Sequence, residues 1–402
     1  MHALEGVVVV DFGQYLAGPF GPMILGDLGA DVIKVEPVTG DGMRMVNQPF
    51  FGCSRGKRDI ALNIKSEVGK EIALQLVERA DIVHHNMTAG VAKRLGIAYE
   101  DCMRVNPDVV YCNTWAYGLE GPLAHFGGLD PLFQAAAGLE YEAGPVRAGN
   151  KPLYIRFGMT DTANAMLSVI GCLTALYHQR RTGEGQELWT SLLDGASMLS
   201  SDALLVAGEA VPRPRLDSDQ CGIDACYRLY RTNDGWIQIA AVEQRHFDAL
   251  CRTLGLAELL EDARFVDHVA RHEHRQQLEA LLAPQFATRT AIVWSRVLDD
   301  AGVPNEVPRD TNAGEAVFFD ADNERLGLVT EYDHPIVGRM RQFGNLIDFS
   351  DTPGRIAGPP PLVGQHTREI LASLGYDDEQ MRSLKSEGVV YWPQGDDYAW
   401  NV

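Results

Sequence analysis

The sequence has no Cys-x-x-Cys pair, no eighteen-residue apolar run, and fewer basic than acidic side chains, 35 against 55. Each lack excludes something. Seven cysteines, at 53, 102, 112, 172, 221, 226 and 251, form an odd set without metal-ligand spacing. A disulfide framework and a zinc site therefore fall away, and reduced thiols that serve packing are expected. The most apolar helical stretch, Ala163 to Tyr177, is broken by Asn164, Ser168, Gly171 and Thr174, which removes a membrane span. A formal net charge of −20 excludes nucleic acid and anionic membranes as general partners, because the long-range field repels polyanions. An anionic ligand must then meet a local basic patch. One stands at Cys53–Asp59, with Arg55, Lys57 and Arg58, although alone it reads as a solvated loop.

Familiar cofactor and hydrolase motifs are missing too. The first βα turn reads Ala17-Gly18-Pro19-Phe20-Gly21-Pro22 in place of G-x-G-x-x-G, and neither a P-loop nor G-x-S-x-G occurs. NAD, FAD, ATP and serine-hydrolase chemistry are thereby disfavoured. His268 and His272 stand at i,i+4 without a third ligand, and His84 and His85 alternate across a short strand, so no metal site is expected. The amino-terminal stretch shows no basic leader and runs directly into a strand, which predicts a cytoplasmic enzyme.

What is present is an α/β pattern. "GVVVVDF" and "ADVIKVE" read as buried parallel strands joined by a Gly-Pro turn and a short helix. Ser66 can cap a helix carrying Val68, Ile72 and Leu76 at i+4 spacing, and "DIVHHN" and "DVVYCNTW" follow as strands. A long helix is expected from about Asp161 to Arg181, stopped at Gly183, then a further strand and helix in "QELWTSLLDGASMLS". This is a doubly wound, Rossmann-like large domain with a parallel sheet. After the Pro-rich stretch Gly208–Gly222 a hairpin turning at Asn233-Asp234-Gly235 begins a smaller α+β domain. The predicted bounds are 1–205 completed by 325–402 for the large domain, 206–224 for a linker, 225–310 for the small domain and 311–324 for a return linker.

Within "GGLDPLFQAAAGL", Asp130 precedes Pro131. Asp at an N-cap followed by Pro is a strong helix-start signal, so the bland reading of Asp130 is a cap. A carboxylate beside two glycines is also approachable by a substrate, and grammar alone leaves both readings open.

The stretch "GVVVVDFGQYLAGPFGPMILGDLGADVIKVEPVTGDGMR" closely resembles the amino-terminal signature of the class III CoA-transferases, the CaiB/BaiF family. "GKRDIALNIKSEVGKEI", "RLGIAYEDCMRVNPDVVYC", "YGLEGPLAHFGGLD", "RRTGEGQELWTSLLDG", "YRTNDGW" and "PPPLVGQHTREIL" resemble further family blocks in the same order. The resemblance implies an interlocked homodimer and transfer of CoA from an acyl-CoA to a carboxylic acid through aspartyl-acyl anhydride and aspartyl-CoA thioester intermediates, without cofactor or metal. It implies Asp130 as nucleophile, supported by Gly127, Gly128, Gln14, Tyr117 and Gly118. For CoA it implies Ala17, Gly18 and Pro19 near the pantetheine, Lys57 and Arg58 near the adenine and phosphates, and Asn86, Met87 and Arg94. Racemases of the family carry a His before this Asp, where this chain has Leu129; Asp161 falls near their second catalytic acid, with a helix N-cap as its simpler role. A 2-methylacyl-CoA racemase and a non-catalytic acyl-CoA-binding protein are the alternatives, the latter because "DSDQCGIDAC" is a lean version of the family's glycine-rich loop.

Overall fold

The computed structural model describes residues 1–46, 48–144 and 151–394. They form two compact units, one of Met1–Ala137, Ile155–Ser201 and Gly314–Val402, the other of Gly138–Tyr154 and Asp202–Ala313. No described helix is long and apolar enough to cross a membrane.

The first unit is built on β1 (Val8–Asp11), β2 (Asp31–Glu36), β3 (Arg58–Leu62), β4 (Ile82–His85), β5 (Val110–Trp115) and β6 (Gln186–Ser191). In the second unit follow β7 (Leu205–Val206), β8 (Glu209–Ala210), β9 (Gly222–Asp224), β10 (Tyr227–Arg231), β11 (Trp236–Ala240) and β12 (Asn305–Glu306). The chain then adds β13 (Val329–His334), β14 (Gly338–Phe343) and β15 (Val390–Tyr391) to the first unit.

Its main sheet runs β15-β3-β2-β1-β4-β5-β6, parallel except for β15. β1 pairs with β2 on one side (Val9 opposite Val32) and β4 on the other (Val9 opposite Ile82). Strand order reverses there, the switch point at which open α/β sheets place a crevice outside the carboxyl ends of their strands. Val9 and Val10 show why the strand is continuously apolar. Val10 packs with Ile33, Ile60, Ile72, Val83 and Tyr111 on one face, and Val9 with Met23, Val32, Ile82 and Val169 on the other. Sequence reading passed over β3, whose opening Arg58-Asp59 breaks the apolar run, and β15, which is two residues long.

Five helices of this unit matter below: α1 (Ala17–Asp27), α2 (Glu67–Val77), α3 (Asp130–Ala136), α4 (Met159–Thr182) and α5 (Leu192–Leu199). The Ser66 cap of α2 forms, its hydroxyl accepting the Gly69 N–H at 3.0 Å. Val68 is exposed, however, and the inward face is Ile72, Ala73, Leu76 and Val77, a wider stripe than single i+4 spacing draws. Helix α4 closes at Gly183, whose φ of +77° suits glycine and whose N–H bonds the Gln179 carbonyl at 2.8 Å.

The second unit carries the sheet β12-β11-β10-β9. Its hairpin turns as expected, with Arg231 opposite Trp236 and the Thr232 N–H on the Gly235 carbonyl at 3.0 Å. Tyr230, Ile237, Phe247, Leu278, Phe286 and Trp294 fill its core against the surrounding helices. Residues 206–224, expected as a linker, supply β8, β9 and part of β7, while the expected return linker 311–324 contains the helix Ala313–Phe318 and most of another, Ala321–Arg325. Short strands and one-turn helices have too few residues to show periodicity, which is why polar composition passed for linker.

Candidate active site

Asp130 is the first residue of α3, not its cap; Leu129 occupies the cap position, and no side chain caps that helix. The carboxylate instead reaches another helix. Asp130 is 7% exposed, and its Oδ2 accepts from the Thr160 N–H (2.7 Å), the Thr160 hydroxyl (2.7 Å) and the Asp161 N–H (3.0 Å). These backbone groups open the 24-residue α4, so the carboxylate sits where free N–H groups and the helix dipole favour negative charge. Gly158 caps α4, which corrects the expected cap role of Asp161, the third residue of the helix. Burial, and secondarily the charge of Asp130, pushes the Asp161 carboxyl up to about 7.

The second oxygen, Oδ1, accepts from Gln134 Nε2, which also donates to the Phe157 carbonyl at 2.8 Å. Gln134 Oε1 is buried without a partner among the described residues. Sequence reading named neither Gln134 nor Thr160. Gln134 was findable, being four residues beyond Asp130 on one helix face. Thr160 lies thirty residues away and carried no signal.

The glycines before Asp130 have different reasons. A Cβ on Gly128 would lie 2.4 Å from the Phe133 ring, so that glycine admits Phe133. At Gly127 an added Cβ would meet only Thr88 Oγ1, at an ordinary 3.5 Å. Tyr117, half-buried, lies against Phe133 at a centroid distance of 4.7 Å, and Gly118 turns the chain after it with φ of +95°.

A cleft of about 600 Å³ opens at the carboxyl ends of β1 to β4. Phe12, Gln14 and Tyr15 line one wall, and Asn86, Met87 and Thr88 another. Asn86 ties the walls together: its Oδ1 accepts the Gln14 N–H (2.9 Å) and its Nδ2 donates to the Gln14 carbonyl (2.7 Å). Gly13 and Gly18 permit this approach, since a Cβ on Gly18 would lie 2.6 Å from the Asn86 side chain. A smaller groove of about 340 Å³ continues from the cleft past Ile64, Lys65 and Leu95, and Lys65, Lys70, Lys93 and Arg94 line it. Asn86, Met87, Gln14 and Arg94 are thus brought together.

Ala17, Gly18 and Pro19 are not. They are buried in the first turn of α1 and do not line the cleft. Lys57 is also misplaced for a phosphate: fully buried, its ammonium donates to Asp11 (2.8 Å) and the Pro19 carbonyl (2.7 Å). Arg58 pairs with Asp31 and Glu369 and opens β3 four residues before the cleft end, about 13 Å along the strand. Arg55 binds Asp27 at 2.6 Å and is likewise buried. Arg55 and Lys57 are therefore interior ion-pair residues, with Arg58 half-buried beside them, and not the solvated patch that charge counting draws, because a buried cation must carry its own partner.

His84 and His85 point to opposite faces, toward Ser168 Oγ (3.1 Å) and the Tyr111 hydroxyl (2.9 Å). His85 Nδ1 accepts the Met87 N–H at 3.1 Å, so its Nε2 bears the proton and donates to Tyr111, which donates to the Ile97 carbonyl at 2.7 Å. Burial lowers the two histidines to about 4 and about 3. His272 pairs with Asp224 at 3.0 Å, and among the described residues no His, Cys, Asp and Glu side chains gather as a metal site.

Residues 4–367 match the family model described as CoA-transferase family III. Over 404 residues the chain is 32% identical to a succinyl-CoA:glutarate CoA-transferase of Mus musculus, covering 97% of this chain and 91% of that protein. It is 30% identical to a succinate–glutarate CoA-transferase of Agrobacterium fabrum, with coverages of 92% and 95%. The crystal structure of a CaiB/BaiF family protein from Brucella suis superposes with a TM-score of 0.79 at 30% identity, covering 93% of this chain and 99% of that one. A reversed-order parallel sheet with its crevice at β1 and β4, together with these matches along nearly the whole chain, shows that the protein belongs to CoA-transferase family III and is an enzyme that moves CoA between acyl-CoA thioesters and acids.

Proposed function

We propose that this CoA-transferase works through Asp130 and takes a short dicarboxylic acid as one of its acids. The observation that carries the reading is the asymmetry of the buried carboxylate. Oδ2 is held by three donors, two of them backbone N–H groups at the start of α4, whereas Oδ1 meets one movable amide. Oδ1 is then the attacking atom. Its lone pair adds to the thioester carbonyl carbon, the C–S bond breaks, and CoA leaves as thiolate from a mixed anhydride. The thiolate attacks the Asp130 carbonyl carbon and expels the donor acid as carboxylate, leaving an aspartyl-CoA thioester. The acceptor carboxylate repeats both steps in reverse. Gln134 Nε2, displaced from Oδ1, is free to donate to the developing oxyanion. Each bond broken is replaced by one of similar energy, so the scheme calls for no resident cofactor.

The acyl-CoA is placed with its nucleotide end along the cleft between Gln14 and Met87 and its phosphates on Lys65, Lys93 and Arg94, a local basic rim on an acidic chain. The dicarboxylate follows the succinate and glutarate of the relatives' names. A homodimer is favoured by the exposed Leu119, Leu123, Phe126, Leu129 and Leu132, a dense apolar series around the site. Seven free thiols suit a reducing, cytoplasmic setting. Leu129 cannot shuttle a proton, which speaks against the racemase reading.

Wild type incubated with glutaryl-CoA should form an adduct that hydroxylamine converts to a hydroxamate at Asp130. Asp130→Asn should form none yet melt near wild type, because one amide oxygen still accepts from α4. Asp130→Ala should be inactive and less stable by about 1–3 kcal/mol, leaving buried N–H groups unpaired. An Asp130→Asn protein that transfers CoA at the wild-type rate, unchanged by mass, would sink the reading.

A further inference from the structure

We infer that Asp59 is a positioning residue for CoA: it shares one proton with Glu36, and the wall of the cleft keeps its shape while that proton is held; this rests on the placing of acyl-CoA in the cleft above. In the register of β1, β2 and β3, Asp11 lies opposite Lys34 and Lys34 opposite Asp59, so Asp11, Lys34, Glu36 and Asp59 share one face of the sheet. Glu36 lines the cleft; its Oε2 accepts the Asp41 N–H (2.6 Å) and Arg44 Nε (2.9 Å), and its Oε1 accepts Arg44 Nη2. Asp59 Oδ1 accepts the Gly364 N–H at 2.5 Å. Its Oδ2 is buried, stands 3.7 Å from Arg44 Nη2 and receives no hydrogen bond among the described residues, yet it lies against the Glu36 carboxyl. Two acceptors meet there, and a proton between them turns one into a donor.

Charge counting requires the same proton. Among the described residues, this face and the loop over it bury four carboxyl groups, Asp11, Glu36, Asp41 and Asp59, against three cations, Lys34, Lys57 and Arg44. Lys57 pairs with Asp11, Lys34 with Asp41 at 2.9 Å, and Arg44 with Glu36. Asp59 is the fourth, and only as a neutral acid does it leave no uncompensated charge. Burial, and then the Glu36 charge, pushes its carboxyl well above the ordinary range, while Arg44, against the effect of burial, holds Glu36 down to about 2. The other neighbours do not replace the proton. His366 is neutral, its Nδ1 accepting the Asp59 N–H at 3.1 Å, and Arg58 turns to Asp31 and Glu369. Release of the proton to solvent sets two carboxylates on one guanidinium and draws Arg44 from Glu36. Arg44 belongs to the turn begun by Asp41, whose Oδ1 accepts the Met43 N–H (2.9 Å) and the Tyr15 N–H (3.3 Å). Tyr15 lines the cleft with φ of +64°, a strained value for tyrosine that lasts while its partners hold it. Glu36 and Tyr15 thus carry the loss to the cleft.

The test is the Kd of free CoA, read by titration calorimetry at pH 6, 7, 8 and 9, which depends on no particular acyl group. In wild type the Kd should rise by about fivefold or more toward pH 9. Asp59→Asn, whose amide donates to Glu36 as the acid does and still accepts the Gly364 N–H, should bind with a Kd that stays flat over the range. Glu36→Gln also leaves three carboxylates to three cations and should flatten the profile, so the slope can be read even if Asp59→Asn does not fold. The CoA thiol and the lysines of the groove titrate alike in all three proteins and cancel in the comparison. Parallel profiles in wild type and either variant overturn the inference. Met87→Trp, which fills the cleft, tests the reading beneath it: a Kd raised by about tenfold or more supports CoA in the cleft. An unchanged Kd in Met87→Trp, or no binding of CoA by wild type, removes CoA from the cleft and the role of Asp59 with it.

Discussion

Asp130 and Asp161 show how two carboxyl groups near the start of one helix come to differ. Asp130 takes the N–H groups that stabilise its charge, and Asp161, buried beside that charge, is pushed up to about 7. The sign of the consequence follows from proton counting. Between its ordinary value near 3.8 and about 7, Asp161 keeps a proton in the folded protein that the unfolded chain has released. Its contribution to stability therefore falls as pH rises through that window. Asp161→Asn should remove this component, and urea midpoints at pH 4.5, 5.5 and 7 should show a steeper rise with pH than wild type. Identical slopes for the two proteins would place Asp161 in water.

At the scale of elements, the strand β1 is held to the loop before β3 by an ion pair that sequence composition disguised as a ligand site. Lys57 and Asp11 are both wholly buried, and Asp11 Oδ1 also accepts the Gly13 N–H at 2.7 Å, which shapes the turn leading to the cleft. Removing one partner strands the other charge in the interior. Lys57→Met should cost about 3–5 kcal/mol, with Asp11→Asn in the same chain restoring part of it, read from urea unfolding. A role at the phosphates would instead weaken acyl-CoA binding and leave the unfolding midpoint where it was. The α4 amino end and the Gln14–Asn86 clamp follow the same logic, since each joins segments far apart in sequence by satisfying backbone groups at a functional edge.

For the whole molecule the pH response is a sum of opposing parts. His84 and His85 are neutral in the folded protein down to about 4 and about 3, while the unfolded chain protonates them near 6.5. Their contribution is complete above 6.5 and is lost as pH falls toward those folded values, opposite in sign to Asp161. Protonating His85 would also break its bond from the Met87 N–H, at the wall of the cleft. His85→Gln should be less stable than wild type at pH 7 yet lose less on acidification to pH 4.5, followed by thermal melting. Parallel loss in both proteins would show that His85 does not contribute.

The sequence alone determined the parallel strands, the hairpin at Asn233-Asp234-Gly235, the Ser66 cap and the end of α4 at Gly183, because each depends on residues within one turn or one strand. Its resemblance to the family also pointed to CoA transfer. Tertiary structure alone decided where charge and hydrogen bonds go. Asp130 accepts the N–H groups that open a helix thirty residues away, Lys57 turns inward to Asp11, and Gly128 admits the Phe133 ring. Periodicity and capping grammar act over a few residues, whereas a buried polar group takes whatever partner the fold brings within about 3 Å.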